Sequence, residues 1–529
     1  MCGILLYHGG AADSDSTCKD EYMEFEENVN DEISVNCNNA TIDNIIPYIV
    51  RRGPNFSSYR YLRKYNTCWF SSVLSLRQPF TKQSINISNR YILQFNGELY
   101  NHGIEEAHES DTQFIVNLLE DTIKDHNNTT TKQQIINIIR RLDGEFAYTI
   151  YDLKESLIYF GRDTIGKRSL SYHLDHTSGE LYISSVTGTT TKNFVNCNGG
   201  QIYIYNTVKK SMIEQNIMIN DIPYHINDTT DIDLKNCYSL VQNLYKQLKI
   251  ATNKRITTIH PAHIENSPIS VLFSGGLDCS VIVALISQYF TQNNRKPTVE
   301  LLNVGFENPR TKLQPCDTPD RKLGISSFNI LKSLFPDIDI KLIEVDVPYE
   351  EYLTVRPKVI DLMYPKNTEM DLSIAIAFHF ASRGVGFITQ DNKRIPYNRK
   401  GIVLFSGLGA DELYGGYHKL ANKDTPQLVE ELQRQINNIH DRNLNRDDKV
   451  IADNGVEVRY PFLDESVIQF STSEIPINYK INKSILRELA KKILLLGPIA
   501  EEPKRAIQFG AKSAKMTKDG NKNGTDILK

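Results

Sequence analysis

The pattern of hydrophobic and polar positions changes near the middle of the chain. The first half carries short apolar runs rich in Ile, Leu, Tyr and Phe, and polar turns break them. Such runs predict β-strands, here at residues 91–95, 146–152, 157–160 and 180–184. Polar, irregular sequence at 220–233 follows and predicts a linker.

Beyond the linker, helical and strand patterns alternate. An amphipathic helix is predicted at 238–251, a strand at 269–273, and a helix that runs from a glycine turn through residue 286. Further strands are predicted at 299–306, 339–345 and 401–405, with helical segments between them. This alternation predicts an α/β arrangement around a parallel sheet.

Three segments lack a folded pattern. An acidic stretch at 13–31 predicts a solvated insertion, and the low-complexity run at 127–131 predicts a loop. The Lys-, Asn- and Gly-rich sequence from residue 512 predicts a disordered tail. The resulting domain bounds are 2–215 and 236–511, with a linker at 216–235 and a tail at 512–529.

Bulk composition narrows the class of protein. The 529 residues exceed one ordinary core, which favours two or more domains. Lys plus Arg number 60 against 64 Asp plus Glu, a net charge of -4, so nucleic acid is not the expected partner. No apolar run approaches the roughly 20 residues of a membrane span, and a signal peptide is not indicated. A cytoplasmic enzyme without a membrane partner is expected.

The eight cysteines are scattered, without a Cys-x-x-Cys pair, so neither a zinc site nor a disulfide framework is expected. Cys2 is distinguished by its position. Removal of Met1 would leave an α-amine beside its thiol, and such an amine titrates near about 7.7–8.0. The amine can then accept the thiol proton and deliver a thiolate nucleophile without a histidine. Met-Cys alone also fits an inert start, so further segments must decide.

Three segments of the first half favour a nucleophilic Cys2. The run 51–55, Arg-Arg-Gly-Pro-Asn, predicts a turn that places guanidinium groups beside a Gly-Pro bend. Asn96 and Gly97 follow a predicted strand, where they can donate hydrogen bonds to an oxyanion. Ser110 and Asp111 open an apolar helical run, where either caps the helix or Asp111 holds an ammonium group.

The second half carries a candidate phosphate site. The run 274–280, Ser-Gly-Gly-Leu-Asp-Cys-Ser, lies between a predicted strand and helix, as an anion cradle does. It is not a Walker A loop, and the alternative is a glycine turn that serves only chain reversal. Asp411 and Glu412 follow the strand at 401–405 and suit Mg²⁺ on a phosphate, or else they cap a helix.

Together these segments resemble class II glutamine amidotransferases of the asparagine-synthetase branch. The loop at 274–280 resembles the pyrophosphate loop of ATP-pyrophosphatases. The resemblance covers nearly the whole chain and includes the runs 143–147, 161–163, 319–321, 406–417, 457–464 and 503–510. It implies an α+β N-terminal-nucleophile glutaminase domain followed by an α/β ATP-pyrophosphatase domain.

The resemblance also implies roles for individual residues. Cys2 would attack the glutamine carboxamide, with Asn96 and Gly97 as the oxyanion hole. Residues implied to bind glutamine are Arg52, Arg77, Glu98 and Asp111. Residues implied to bind ATP are Leu272, Ser274, Gly275, Gly276, Asp278, Ser280, Val304, Ser406, Gly407 and Lys483, with Lys504 as a second candidate for the phosphates. Asp278 and Asp411 would hold Mg²⁺.

The chain departs from the family pattern at three positions. Val73 stands where the family has an arginine that binds the glutamine carboxylate, and Arg77 lies close in sequence. Cys279 replaces a serine of the pyrophosphate loop, and Leu408 replaces a glutamate associated with amidation. These departures, with the runs 370–373, 380–384 and 442–448, match the sub-branch of asparagine synthetase domain-containing proteins.

The predicted function is therefore ATP-dependent asparagine synthesis from glutamine and aspartate, with release of AMP and pyrophosphate. The substrates are small molecules, and ATP and Mg²⁺ are the implied cofactors. Two alternatives stay open: an impaired homologue that serves as a scaffold or regulatory partner, and an amidotransferase with a different acceptor. Assembly as a homodimer also stays open.

Overall fold

The structure is a computed structural model. It describes residues 2–9, 20–26, 35, 39–104, 110–124, 130–188, 190, 192–220, 224–230, 234–260, 263, 268–417, 420, 423–516 and 526–528. The chain divides into two compact units. Unit 1 consists of Met1–Ile222, Ile360–Lys366 and His440–Val456, and unit 2 of Pro223–Val359, Asn367–Ile439 and Glu457–Lys529.

Unit 1 contains two antiparallel sheets. Its strands are β1 (Gly3–His8), β2 (Glu21–Glu26), β3 (Phe56–Leu62), β4 (Thr67–Val73), β5 (Ile85–Ile87), β6 (Tyr91–Leu99), β7 (Gly144–Asp152), β8 (Leu157–Arg162), β9 (Ser171–Leu174), β10 (Leu181–Ser184), β11 (Val195–Asn196), β12 (Gln201–Asn206) and β13 (Ser211–Met218). The strand order is β11-β9-β10-β1-β4-β3-β2 in one sheet and β13-β12-β8-β7-β6-β5 in the other.

Helices cover both sheets of unit 1. Helix α1 (Ala40–Arg52) contacts β1 and β4, and Asn39 caps it by accepting from the amides of Thr41 and Ile42. Helices α2 (Asp111–Lys124) and α3 (Thr131–Arg140) bury their apolar faces against the second sheet. Between the sheets, apolar side chains from both, Trp69 and Phe160 among them, form a shared core. Unit 1 is thus built of four layers, helix, sheet, sheet and helix.

Unit 2 is built on one seven-stranded sheet. Its strands are β14 (Ile269–Leu272), β15 (Thr298–Phe306), β16 (Asp339–Val347), β17 (Val385–Gln390), β18 (Lys393–Asn398), β19 (Val403–Phe405) and β20 (Glu457–Arg459). The order is β18-β17-β16-β15-β14-β19-β20, parallel from β16 to β20 and antiparallel in the β17–β18 hairpin. From β14 the chain winds towards β15 on one side, and β19 lies on the other. A ligand site is therefore expected between the carboxyl ends of β14 and β19.

Helices connect these strands. They are α4 (Leu234–Thr257), α5 (Leu277–Gln292), α6 (Pro319–Leu334), α7 (Tyr349–Met363), α8 (Glu369–Arg383), α9 (Ala410–Leu413), α10 (Thr425–Asn437), α11 (Asn445–Ala452), α12 (Glu465–Ser473), α13 (Ser484–Lys492), α14 (Gly497–Glu501) and α15 (Ile507–Gly510). A π-helical turn, His440–Leu444, leads into α11, and both belong to unit 1. Short 3₁₀ turns lie at Arg63–Tyr65, Pro315–Asp317, Pro461–Leu463, Ile477–Tyr479 and Ile481–Lys483.

The structure confirms the predicted α+β first half and α/β second half. The strands predicted at 91–95, 146–152, 157–160 and 180–184 coincide with β6, β7, β8 and β10. Those predicted at 269–273, 299–306, 339–345 and 401–405 coincide with β14, β15, β16 and β19, and the helix at 238–251 lies within α4.

Other predictions need correction. Within the acidic stretch 13–31, residues 13–19 and 27–31 lie outside the described residues, but 21–26 form the edge strand β2 rather than a solvated insertion. The physical reason is a period of two: Met23 and Phe25 are half-buried, whereas Tyr22 and Glu24 are exposed. The loop predicted at 127–131 has 127–129 outside the described residues, and α3 begins at Thr131. The linker predicted at 216–235 overlaps the ends of β13 and α4.

The tail predicted as disordered from residue 512 is partly ordered. Its residues 517–525 and 529 lie outside the described residues. Asn308 Nδ2 donates to the carbonyls of Lys512 and Ala514 at 3.0 and 3.2 Å, and Met516 is buried. Ile527 forms a bridge with Thr368. Hydrogen bonds to other segments of unit 2 therefore order parts of a tail whose composition favours disorder.

Among the residues described, no helix combines the length and apolar character needed to cross a lipid bilayer.

Lys480 predicts a pH dependence of stability. It is buried, its Nζ donates to the carbonyl of Ser471, and burial lowers its pKa to about 7. Between pH 7 and its ordinary value of about 10.4, the unfolded state binds the extra proton, so the free energy of unfolding rises with pH in this window. Lys480→Met should therefore stabilise the protein by roughly 2 kcal/mol at pH 6 and by less at pH 9. Denaturant unfolding at both pH values measures this, and an equal difference at the two would contradict it.

Candidate functional site

The first candidate site surrounds Cys2, at the start of the central strand β1. The Cys2 backbone nitrogen donates to Asn96 Oδ1 at 2.8 Å, and its carbonyl accepts from Arg52 Nε at 3.3 Å. Strand β1 pairs with β4 and β10 on its two sides, so its position is fixed by hydrogen bonds along its length. The residue is thus held by its backbone at both ends.

Asn96 and Gly97 lie on β6, where the sequence predicts an oxyanion hole. Asn96 is fully buried, and its Nδ2 has no hydrogen-bond partner among the described residues. A Cβ at Gly97 would lie 2.2 Å from the carbonyl oxygen of Glu145, so only glycine fits this strand pairing. The structure brings Asn96 to the predicted nucleophile with one amide donor still available.

The predicted glutamine-binding residues Arg77 and Glu98 contact each other. Arg77 Nε donates to Glu98 Oε1 at 2.5 Å, and both side chains are buried. The other guanidinium nitrogens donate to the carbonyls of Ile104 and Leu99 at 2.7 and 2.6 Å. Val73 is buried in β4 and supplies no charge. Arg77 is therefore committed to this network, and its role as an anchor for a glutamine carboxylate stays a prediction.

The other two predicted glutamine-binding residues have different surroundings. Arg52 ends α1, is buried and forms an ion pair with Asp448 at 2.9 Å. Asp111 begins α2, and its carboxylate accepts from the amide of Thr112 at 2.7 Å. Ser110 Oγ accepts from the amide of Gln113 at 3.2 Å. Ser110 therefore caps α2, which is one of the two predicted alternatives.

Asp448 is a residue of this site that sequence reasoning misses. The run 442–448 carries part of the family resemblance, but no spacing rule assigns Asp448 a role. Its carboxylate accepts from Arg52 and from both the amide and the hydroxyl of Ser169, at 2.9, 2.9 and 2.6 Å. Although burial favours its neutral form, Arg52 and Arg168 hold the pKa of Asp448 below its ordinary value. Asp448 and Arg52 lie 396 positions apart, which explains why no local signal finds the pair.

The second candidate site is the loop after β14. Gly276 caps α5, and Gly275 has a φ of +83°. A Cβ at Gly275 would lie 2.5 Å from the backbone nitrogen of Gly324 in α6. Asn303 Nδ2 also donates to the carbonyl of Phe273 at 3.0 Å. The glycine turn is therefore packed tightly against α6, at the expected switch point of the sheet.

A cluster of charges lies beside this loop. Lys483 Nζ lies 2.5 Å from Asp278 Oδ2 and 2.6 Å from Asp411 Oδ1. Lys504 Nζ lies 3.2 Å from Asp411 Oδ2 and 4.0 Å from the centre of the Tyr417 ring. Although burial disfavours its charge, the two carboxylates raise the pKa of Lys483. The structure thus brings together Asp278, Asp411, Lys483 and Lys504, which the sequence distributes over four segments.

The remaining predicted ATP-binding residues line the same edge of the sheet. Leu272 and Val304 lie on the neighbouring strands β14 and β15, and Ser406 and Gly407 follow β19. A Cβ at Gly407 would lie 2.8 Å from Asp278 Cβ, so the loop after β19 closely approaches the loop at Ser274. Ser280, by contrast, is buried within α5, and its hydroxyl has no partner among the described residues.

Two departures from the family pattern, Cys279 and Leu408, and the nearby Glu412 each make a defined hydrogen bond. Cys279 is buried, its Sγ donates to the carbonyl of Gly276 at 3.3 Å, and burial raises the pKa of its thiol. The amide of Leu408 donates to Ser406 Oγ at 3.2 Å. Glu412 is buried and accepts from the hydroxyl of Tyr417 at 2.6 Å.

Metal ligands are sparse in this cluster. Within the described part of the chain, no group of three or more His, Cys, Asp or Glu residues is arranged to hold a metal ion. Asp278 and Asp411 form a pair with Lys483 between them. Asp278 Oδ1 is buried and has no hydrogen-bond partner among the described residues.

Two protein-family models match the chain. The model described as asparagine synthase matches residues 261–428 and 419–524. The model described as glutamine amidotransferase domain matches residues 71–192. The asparagine synthase match includes the loop at Ser274, Asp411 and Lys483. The glutamine amidotransferase match includes Asn96 and Gly97 and begins after Cys2.

Individual relatives extend over nearly the full length. An asparagine synthetase domain-containing protein of Saccharomyces cerevisiae is 58% identical, over 100% of this chain and 99% of its own. Asparagine synthetase domain-containing protein 1 of Homo sapiens is 26% identical, over 91% of this chain and 93% of its own. The glutamine-hydrolysing asparagine synthetase of Homo sapiens is also 26% identical, over 88% of this chain and 81% of its own.

Adjacent glycines of the loop provide a matched pair of substitutions. Gly275→Ala should cost about 2 kcal/mol or more, because the new Cβ meets backbone at a positive φ. Gly276→Ala should leave the free energy of unfolding within about 1 kcal/mol, because its Cβ meets only Ser274 Oγ at 3.4 Å. Denaturant unfolding of both variants measures the difference. Equal destabilisation by the two substitutions would contradict the packing described here.

Proposed function

The chain belongs to the asparagine synthetase domain-containing branch of the asparagine synthase family, and we propose that it makes asparagine from aspartate, ATP and glutamine. Its glutamine amidotransferase domain supplies ammonia, and its asparagine synthase domain activates aspartate with ATP. The single observation that carries the proposal is the contact of Lys483 with Asp278 and Asp411 beside the loop at Ser274. It combines a cradle for phosphate oxygens with a cation and two carboxylates.

The first half-reaction is proposed for unit 1. After removal of Met1, the α-amine of Cys2 takes the thiol proton, and the sulfur attacks the side-chain carbonyl carbon of glutamine. Asn96 Nδ2 and the Gly97 amide then donate to the oxyanion. Ammonia leaves with the proton, and water hydrolyses the remaining thioester to glutamate. Asn96 Oδ1 supports this chemistry because it accepts from the Cys2 nitrogen and so fixes the amine beside the sulfur.

The second half-reaction is proposed for unit 2. A carboxylate oxygen of aspartate attacks the α-phosphorus of ATP, and pyrophosphate leaves. Ammonia then attacks the acyl carbon, AMP leaves, and one proton is released. The free amides at the start of α5 and the ammonium groups of Lys483 and Lys504 would bind the phosphates. Leu272, Val304, Ser406 and Gly407 would line the adenosine.

Mg²⁺ fits the carboxylate pair of this site. Asp278 Oδ1 is a buried oxygen without a partner among the described residues, and an ammonium group already lies between the two carboxylates. Mg²⁺ takes one or two carboxylates and completes its ligands with phosphate oxygens and water. Asp278 and Asp411 would hold it, and it would neutralise charge on the phosphates.

Leu408 favours a second candidate function, an amidotransferase with an acceptor other than aspartate. A leucine can neither bind an ammonium group nor accept a proton, so the family's glutamate has no counterpart at this position.

The two candidate functions differ in product. Purified protein with MgATP, aspartate and either glutamine or ammonia should release pyrophosphate and asparagine. Pyrophosphate without asparagine would favour another acceptor, and no pyrophosphate with either nitrogen donor would favour a scaffold.

Substitution of the nucleophile should separate the two nitrogen donors. Cys2→Ala should abolish glutamine hydrolysis and glutamine-dependent pyrophosphate release, because no other thiol has the adjacent amine. Ammonia-dependent release should stay within about twofold of the unsubstituted protein. Cys316→Ala is a matched control, since Cys316 is exposed and lies outside both sites. Glutamine hydrolysis that survives Cys2→Ala would refute the nucleophile.

Substitution of Lys483 should impair pyrophosphate release but not glutamine hydrolysis. Lys483→Met leaves two half-buried carboxylates without the cation between them, and it should lower pyrophosphate release by roughly 100-fold or more with either donor. Lys492→Met is the control. It removes an ion pair with Glu488 on the surface of α13 and should leave the rate unchanged. Glutamine hydrolysis at Cys2 should persist in both variants. Full pyrophosphate release by Lys483→Met would contradict the proposed phosphate site.

A further inference from the structure

The segment His440–Val456 belongs to unit 1, although in sequence it joins β19 to β20 of unit 2. Three of its carboxylates contact the rest of unit 1, and one of them, Asp453, lies 3.8 Å from Arg51 Nη1. Asp441 accepts from Lys366 Nζ at 2.7 Å and from Asn196 Nδ2 at 3.2 Å. Asp448, one turn into α11, accepts from Arg52 Nη2 at 2.9 Å. The attachments at Asp441 and Asp448 differ in burial: Asp441 is half exposed, whereas Asp448 has no exposed surface.

The attachment at Asp448 leads to the nucleophile. Arg52 is 1% exposed, and the same guanidinium that binds Asp448 donates through Nε to the Cys2 carbonyl at 3.3 Å. A buried guanidinium needs a charged partner, because an unpaired buried charge is strongly disfavoured. Without Asp448, Arg52 would have to move towards water or other acceptors. The hydrogen bond to Cys2 would then be lost or displaced.

Asp448 is itself held in place by its neighbours. The amide and hydroxyl of Ser169 donate to the same Oδ2 that accepts from Arg52, at 2.9 and 2.6 Å. Arg168 Nη1 lies 3.6 Å from Oδ1, and Arg168 also pairs with Glu145 at 3.2 Å. The carboxylate therefore has a fixed orientation, and it transmits that orientation to the guanidinium of Arg52.

We propose that Asp448 is a positioning residue for glutamine hydrolysis, which acts by holding Arg52 against the Cys2 carbonyl. Cys2 is then fixed at its carbonyl by Arg52 and at its nitrogen by Asn96. A thiol held in this way keeps one approach towards the glutamine carbonyl, and displacement by about 1 Å costs on the order of 100-fold in rate. The inference rests on the proposed role of Cys2 as the nucleophile.

A purely structural role would have a different signature. If Asp448 only attached the segment to unit 1, its loss would resemble loss of the Asp441 attachment. It would then affect stability rather than the turnover of bound glutamine. The positioning role instead predicts a fall in kcat with little change in KM, because Asp448 orients the nucleophile and does not contact the substrate.

The test compares Asp448→Asn, Arg52→Gln and their combination with Asp441→Asn as the matched control. Glutamine hydrolysis is followed as glutamate formed by the full chain, after mass spectrometry has verified removal of Met1. Asp448→Asn should lower kcat by roughly 10- to 100-fold with KM changed by less than about threefold, and Arg52→Gln should lower kcat by a similar factor. The double variant should be no slower than the slower single variant, because the two residues act through one contact. Asp441→Asn should stay within about twofold of the unsubstituted rate.

Contrary outcomes are distinguishable. Additive losses in the double variant, or equal losses for Asp448→Asn and Asp441→Asn, would overturn the positioning role while leaving the nucleophile intact. No hydrolysis by the unsubstituted chain would overturn the proposed function itself, and this inference with it. If Asp448→Asn does not fold, Arg52→Lys carries the test, because it keeps the charge beside Asp448 but lacks Nε. A fall in kcat supports the inference, and an unchanged kcat contradicts it.

Discussion

Two like charges, the half-buried carboxylates of Asp278 and Asp411, lie close together where β14 and β19 end, and the buried ammonium group of Lys483 lies between them. Two carboxylates this close and partly shielded from water repel each other unless a cation is present. The parallel order of the sheet brings the two aspartates together, because the loops that follow neighbouring parallel strands lie at the same edge. This edge is also where the proposed nucleotide phosphate and its metal ion would bind.

In unit 1 a buried charge likewise needs a partner of opposite charge, but here the buried charge is positive. Here the buried charge is the guanidinium of Arg52, and the neutralising group, Asp448, comes from a segment that lies between two strands of unit 2 in sequence. Pairing of this charge gives the guanidinium a fixed direction, and one of its nitrogens reaches the Cys2 carbonyl. In both units, therefore, neutralisation of buried charge places polar groups around a reactive position, and the strands provide the rigid support.

Much of the fold follows from the sequence alone. Apolar runs rich in Ile, Leu, Tyr and Phe predict β6, β7 and β8, and the strand–glycine–helix pattern predicts the loop at Ser274, because both signals are local. These local signals miss structure that depends on pairing between segments distant in sequence. An edge strand within an acidic stretch, β2, depends on its partner β3, and the ordered residues 512–516 depend on acceptance of hydrogen bonds from Asn308. Composition cannot anticipate either.

The candidate sites show the same division. Cys2, Asn96, Asp278 and Asp411 stand in recognisable motifs, and the fold places Cys2 against Asn96 and both aspartates against Lys483. Arg77 shows the limit of such reasoning: the sequence gives its proximity to Val73, but only three-dimensional contacts reveal that Glu98 and two carbonyls occupy its guanidinium. Transfer of the glutamine amide to aspartate is measured most directly with glutamine labelled with ¹⁵N in its amide, together with aspartate and MgATP. Asparagine should carry the label, with AMP formed in equal amount. Label found only as ammonia, with no AMP, would contradict this transfer.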